Sequence, residues 1–279
     1  MNNTVSVVIV TKGSVPFIDR CLQHLAQQSH PVHEVIIVDN NSADRQALRA
    51  AVRSAGVLVQ LVELDDNIGY AGACNVATRY LSRACAYVLY VGPDTYLTEG
   101  YTAAGVTFME DPANHAVGAV SGKLLGFNND ANQPTGLIDS TGIEQTWYGR
   151  WYDRSQGRLV SLDADRWAPA VAALCGTALL CRRSALAQLE AREPYTIYDG
   201  SLFMYKEDVE LCLRLLAAGF SLRYHSEMVA YHCRGWKRAR MSHRAKVLSA
   251  RNEAVINARL GPIKYLYSCL KLYLASRGV

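Results

Sequence analysis

The chain has 279 residues, half of them hydrophobic and 19% charged, with a net charge of +4. It is long enough for one large core, or a core with an appendage, and its balance is that of an ordinary globular protein. No apolar run reaches the roughly 18 residues of a membrane span, and Met1-Asn2-Asn3-Thr4 lacks a basic region, so neither a spanning segment nor a secretory leader is expected.

The eight cysteines show no CxxC pairing, and several, such as Cys175 and Cys181, lie inside apolar runs. They read as buried free thiols of a reducing compartment, which excludes a disulfide framework or a zinc site and favours the cytoplasm. The charge is uneven. Residues 234–279 carry eleven Lys and Arg against the single acid Glu253, a net +10, which leaves −6 for the rest. A basic tail on a mildly acidic body suggests an anionic partner.

Strand and helix alternate along the first third. Residues 5–11 read as a nearly all-apolar strand, as suits a parallel strand buried on both faces. Residues 17–28 have helical spacing through Cys21, Leu22 and Leu25, and 34–39 form the next strand. Asn40-Asn41-Ser42-Ala43-Asp44 is a turn and helix cap before a helix over 46–54. A third strand spans 58–64, residues 67–72 break the chain before a helix over 75–81, and a fourth strand, 87–91, ends at Gly92-Pro93-Asp94. Four such repeats predict βαβ units with right-handed crossovers.

After Val120 the rhythm changes. Residues 124–168, rich in Gly, Asn, Asp, Trp and Tyr, read as a long loop or irregular hairpin. A strand pattern resumes over 170–182, followed by an acidic helix, strands near 221–224 and 228–232, and two tail helices broken at Gly261-Pro262.

Ligands of an open parallel sheet bind beyond the carboxyl ends of its strands. Here those ends carry Thr11, Asp39 with Asn40, Asn67 with Gly69, and Asp94. One such residue is an ordinary cap; four in register point to a ligand. Neither a GxGxxG fingerprint nor a P-loop signature occurs, so a nucleotide would be held differently. Asp39 can accept the imide proton of a pyrimidine, which suits uridine or thymidine. Asp94 is either a turn residue after Pro93 or a carboxylate holding Mg²⁺ or Mn²⁺ against a diphosphate. His232 ends an apolar strand and by itself reads as structural before it reads as a ligand. The Tyr and Trp residues of 147–167 either stack on a sugar or cover the core.

Residues 204–214, Met-Tyr-Lys-Glu-Asp-Val-Glu-Leu-Cys-Leu-Arg, place Glu207, Asp208 and Glu210 in the first turn of a helix whose apolar face is Leu211, Leu215 and Ala218. Acids there complement the helix dipole; one of them can also take a proton from a bound hydroxyl or help hold a metal. Neighbouring helical residues point about 100° apart, so only one of the three faces an acceptor well. Glu207 and Glu210 share a side, where they hold the loop or the acceptor, with Arg214 as the ion partner of Glu210. Asp208, the shortest, is left free.

Taken together, VSVVIVT, EVIIVDNNSAD, DNIGYAGACN, YVLYVGPDTYL, IDSTG, CGTALLCRRSAL, FMYKEDVELCLRLLAAGF and the downstream Tyr231-His232 resemble the family 2 inverting glycosyltransferases of GT-A fold. The likeness runs over about residues 4–233 and is nearest to the bacterial rhamnosyltransferase-like branch that builds cell-surface polysaccharides such as O-antigen. It implies an α/β GT-A domain over 1–235, a mostly parallel sheet flanked by helices, with a basic helical segment over 236–279. It puts Thr11, Asp39, Asn40, Asn67, Gly69, Asn75 and Asp94 on the nucleotide-sugar. Asp208 matches the base; Asp94, with His232, matches the metal site for Mg²⁺ or Mn²⁺; Glu207, Glu210, Arg214 and Gly176 are support or acceptor contacts. The donor suggested is dTDP-rhamnose first and UDP-galactofuranose or another UDP-sugar second. The acceptor suggested is a saccharide or polyprenyl-linked hydroxyl at the inner face of an anionic membrane, with no nucleic acid involved.

One departure stands out. The family's DxD is Gly92-Pro93-Asp94 here, so the first carboxylate is absent and the diphosphate is expected to supply most of the metal's oxygens. Two other classes compete. A sugar-nucleotide nucleotidyltransferase would need a basic, Gly-rich phosphate loop after the first strand, and Thr11-Lys12-Gly13-Ser14 is a poor one. A non-catalytic sugar-nucleotide binder is encouraged by Gly92.

Overall fold

The computed structural model describes residues 3–160, 170–190, 194–233 and 241–278. The expected domain boundary near 235, the basic residues Arg234, Lys237, Arg238 and Arg240, and Trp167 lie outside the described residues.

The alternating first third folds as read. Strands β1 (Val5–Thr11), β2 (Val32–Asp39), β3 (Val59–Glu63) and β4 (Tyr87–Val91) alternate with helices α1 (Val15–Ala26), α2 (Arg45–Arg53) and α3 (Gly69–Thr78). These four strands are parallel, in the order β3-β2-β1-β4. Every residue of β1 is buried, because helices cover both faces of a parallel sheet. The apolar stripe of α1, Ile18, Cys21, Leu22 and Leu25, is what covers one of them. Helix α3 starts at Gly69, inside the break expected over 67–72 and ahead of the helix expected from Asn75.

Beyond β4 the sheet is mixed rather than mostly parallel. It continues through β5 (Thr95–Leu97), α4 (Tyr101–Glu110), β6 (Val117–Asn128), β7 (Gln133–Ser140), β10 (Ala178–Arg182), α5 (Arg183–Glu190), α6 (Glu207–Ala217) and β11 (Ser221–His232). Strand β10 runs antiparallel between β4 and β6, β11 lies parallel to β6, and β5 closes the edge antiparallel to β11. The two strands expected near 221–224 and 228–232 are one strand with a register slip between Tyr224 and Val229.

Within the stretch read as a long loop or irregular hairpin, residues 124–160 include paired strands. Strand β6 continues to Asn128 and turns back into β7 as an antiparallel hairpin, its turn capped where Asn128 Oδ1 accepts the Ala131 N–H at 3.1 Å. A small ribbon follows, β8 (Ile143–Gln145) against β9 (Trp151–Asp153). Alternation in 133–140 was masked by its Pro and Gly, and helix α4 by its small residues.

The tail forms α7 (His243–Asn257) and α8 (Pro262–Ser276), with Pro262 at the first helical position as expected of a helix start. The hairpin docks on the body through polar groups. Asn257 Oδ1 accepts Trp151 Nε1 at 3.0 Å, and its Nδ2 donates to the Gly149 carbonyl at 2.8 Å. Lys264 donates to Gln145 at 2.6 Å. Trp151 is therefore a buried strut, whereas Trp147 is exposed.

Candidate active site

The strand ends converge as the topology requires. Thr11 and Asp39 are register partners, and the Asn40 N–H donates to the Thr11 carbonyl at 2.8 Å. Asn40 Nδ2 donates to Asn67 Oδ1 at 2.9 Å, and Asn40 Oδ1 accepts the Ile68 N–H at 2.9 Å. The two asparagines thus lock the loop after β3 to the end of β2. Thr11 Oγ1 is buried and has no partner among the described residues, which is costly unless a ligand completes it.

Asp39 is fully buried and already engaged. It accepts the Ser42 N–H at 3.0 Å and Arg45 Nε at 3.1 Å. Arg45 also donates to the Leu64 carbonyl, so Asp39 is the anchor of the whole β2–β3 corner.

Two expected donor contacts have other employment. Asn75 Oδ1 accepts the N–H groups of Ile197 and Tyr198, and its Nδ2 donates to the Tyr198 carbonyl at 2.8 Å. Its amide is spent inside the protein. Gly69 is buried, and a Cβ there would lie 2.4 Å from the Phe203 carbonyl oxygen, so the position serves close packing of α3 on the 203 loop.

At the end of β4 the Gly92-Pro93-Asp94 turn carries Asp94, whose side chain is 31% exposed. A Cβ on Gly92 would sit 2.9 Å from Thr95 Oγ1 and 3.1 Å from Asp94 Oδ1. The turn is too tight for a second carboxylate to be added there without a shift. Thr95 pairs with His232 across β5 and β11, which brings the histidine to Asp94. His232 Nε2 lies 3.5 Å from Asp94 Oδ2, and its Nδ1 lies 2.7 Å from Asp139 Oδ2. Burial disfavours charge on this imidazole, but the carboxylates of Asp94 and Asp139 outweigh it and push it up to about 9.

Among the described residues no three His, Cys, Asp or Glu converge as a closed metal cage. Asp94 and His232 form an open pair. Two protein donors suit a divalent ion that takes its remaining oxygens from a substrate diphosphate and water, so the residues fit Mg²⁺ or Mn²⁺.

Asp208 stands in the first turn of α6. Its Oδ2 accepts the Gly176 N–H at 3.0 Å and its Oδ1 the Val209 N–H at 2.8 Å. A Cβ on Gly176 would crowd the Asp208 Cβ at 3.0 Å, so the close approach depends on glycine. The next residue, Thr177, accepts the Gly92 N–H at 2.8 Å. Consecutive residues thereby tie the carboxylate of α6 to the turn of Asp94.

The neighbouring acids part ways. Glu210 accepts Arg214 Nε at 2.9 and 2.8 Å and Arg259 at 3.4 Å, while Arg214 also donates to the Ile197 carbonyl. This pair is a strut between α6, the 197 segment and the tail. Glu207 Oε2 is buried and has no hydrogen-bond partner among the described residues. Burial, and then the neighbouring Asp208 charge, push Glu207 up to about 8. Burial likewise raises Asp208 above the ordinary carboxylate range, opposed by the N–H groups of Gly176 and Val209.

Two residues escaped the sequence reading. Asn252 of α7 donates to the carbonyls of Leu202, Met204 and Tyr205 at 2.7, 3.0 and 2.8 Å. That loop holds Phe203, Tyr205 and Lys206 at positive φ, a strain of order 1–3 kcal/mol each that something must hold in place. Asp139 is the other. Its carboxyl is visible in the IDSTG segment, but nothing in a separation of 93 residues connects it to His232.

The profile of glycosyl transferase family 2 matches residues 6–189. An N-acetylglucosaminyltransferase of Mesorhizobium japonicum is 30% identical over 233 residues, 81% of this chain and 50% of the relative. One of Bradyrhizobium diazoefficiens is 29% identical over 214 residues, 75% of this chain and 40% of the relative. The chain thus spans half or less of the length of these relatives. Among solved structures, the Pyrobaculum calidifontis mannosyltransferase PcManGT with GDP-Man and Mn²⁺ superposes at TM-score 0.62 and 18% identity, covering 98% of this chain and 70% of that one. TarS of S. aureus with UDP-GlcNAc gives 0.58 and 18%, covering 96% and 70%. These likenesses carry the fold, which is GT-A.

Proposed function

Since the chain belongs to glycosyl transferase family 2, we propose that it moves a sugar, with inversion, from a nucleoside diphosphate to a hydroxyl of a saccharide or lipid-linked acceptor. The observation that supports this most is the tie through Gly176 and Thr177, which links the Asp208 carboxylate to the turn that carries Asp94. Asp208 takes the acceptor's proton as its oxygen attacks the anomeric carbon opposite the diphosphate, so configuration inverts. A divalent cation, when bound, neutralises the diphosphate and eases its departure. Asp94 and His232 are the residues that would hold it. Thr11 Oγ1 and the Asn40–Asn67 clamp form the nucleoside side of the pocket.

For the donor, UDP-N-acetylglucosamine leads. The relatives' names and the sugar nucleotide bound to TarS support it, whereas dTDP-rhamnose and UDP-galactofuranose rest on the branch resemblance alone. Melting the protein with Mn²⁺ and each of UDP-GlcNAc, UDP-galactofuranose, dTDP-rhamnose and GDP-mannose tests the choice. A ligand at 100 times its Kd adds about 2.7 kcal/mol of stability. We expect the largest rise with UDP-GlcNAc. A rise with dTDP-rhamnose alone restores the rhamnose reading, and no rise with any of them removes the donor site.

The tail supports an acceptor at a membrane. No helix among the described residues is long and apolar enough to cross one. Helix α8 instead exposes Ile263, Leu266, Leu270, Tyr273 and Leu274 at helical spacing. The single acid of this tail, Glu253, is buried against Lys271 at 2.7 Å, so the surface is cationic. Such a face lies in the interface of anionic lipid, each basic residue adding about 1 kcal/mol. Sedimentation should carry the protein down with anionic vesicles, less so at high salt, and Leu266→Glu with Leu270→Glu should release it. Equal binding to neutral vesicles, or retention by the double variant, counts against this surface.

A further inference from the structure

We propose that Asp139 is a positioning residue for the metal pair: it holds His232 with Nδ1–H toward itself, so that Nε2 is the nitrogen left to bind the metal beside Asp94. The inference rests on the metal reading given above and adds a residue to it. A carboxylate only accepts, so Nδ1 donates in the 2.7 Å contact, which is much the shorter of the two contacts that the ring makes with carboxylates. The other nitrogen is then the one 3.5 Å from Asp94. A histidine that binds a metal through one nitrogen needs the other tied down, and a carboxylate there both sets the tautomer and makes the ligating nitrogen more basic.

The fold builds this contact deliberately deep. Asp139 is fully buried, and a buried carboxylate is expensive unless it is paired. It comes from β7, which takes over the side of β6 that β10 leaves. Leu125 of β6 pairs with Ile138 on one side and with Tyr231 on the other, so a single strand separates Asp139 from His232. The placement also answers the departure at Gly92. The turn has no room for a second carboxylate without a shift, and the second negative charge stands instead behind the histidine.

The test measures Mn²⁺ uptake by loss of the free-ion EPR signal, with and without UDP, in wild type, His232→Ala and Asp139→Asn. It is paired with ¹⁵N-histidine NMR of the Mg²⁺-loaded protein. Asparagine keeps the shape but not the charge. We expect Asp139→Asn to weaken Mn²⁺ binding about 10–100-fold, with the wild-type ring in the Nδ1–H tautomer. Wild-type affinity in Asp139→Asn overturns the role of Asp139 while leaving the metal site standing. No uptake by wild type, or undiminished uptake by His232→Ala, overturns the metal reading and this inference with it. Should Asp139→Asn fail to fold, the wild-type spectrum decides: an Nε2–H ring in the Mg²⁺-loaded protein refutes the proposal.

Discussion

Asp208→Asn should lower kcat by about 10²–10⁴-fold and leave donor affinity nearly unchanged. Asparagine can still accept the Gly176 N–H through its oxygen, so the tie between α6 and the 92–94 turn survives. What it cannot do is take a proton. Glu210 does not substitute, because its carboxylate is bound to Arg214 and Arg259. Glu207 is the competitor, with a buried oxygen that has no partner among the described residues. The pH profile separates the two. Burial raises Asp208, and a base must be ionised to act, so activity should fall as pH drops through a limb above the ordinary carboxylate range. That limb should disappear in Asp208→Asn. Near-normal transfer by this variant would move the role to Glu207, where Glu207→Gln is the next test.

Asp94→Ala should abolish turnover, and His232→Ala should reduce it by a smaller factor. The reason lies in the turn. Gly92 contributes no side chain, so Asp94 is the one carboxylate of the Gly92-Pro93-Asp94 turn, with His232 Nε2 3.5 Å away. Losing the carboxylate leaves a single neutral donor, whereas losing the imidazole leaves a charge that still faces the diphosphate. Excess EDTA should mimic Asp94→Ala in the wild-type enzyme and add nothing to the variant. Full activity in EDTA would return Asp94 to the rank of a turn residue.

Local patterns determined much of this. Apolar runs of five to eight residues followed by helical spacing specify buried parallel strands whatever the rest of the chain does, and β1, α1, β2, α2 and β4 follow them, while β3 is the half-exposed edge strand. The polar strand ends, the acidic start of α6 and the break at Gly261-Pro262 are local signals too, since caps and turns are set by a few neighbouring residues. The ion pair of Glu210 with Arg214 follows from helix pitch alone.

Pairings across long separations were decided by tertiary structure. Sequence spacing treats Asn75 and Asn40 alike, yet one amide is consumed by the 197–198 backbone and the other by the clamp to Asn67. It gives no reason for β10 to enter antiparallel between β4 and β6, because an apolar strand has no intrinsic direction. The same holds for Asp139 with His232 and for Asn252 with the strained loop before α6. A carboxylate or an amide announces that it will bond when buried, but only the packing of distant segments chooses its partner.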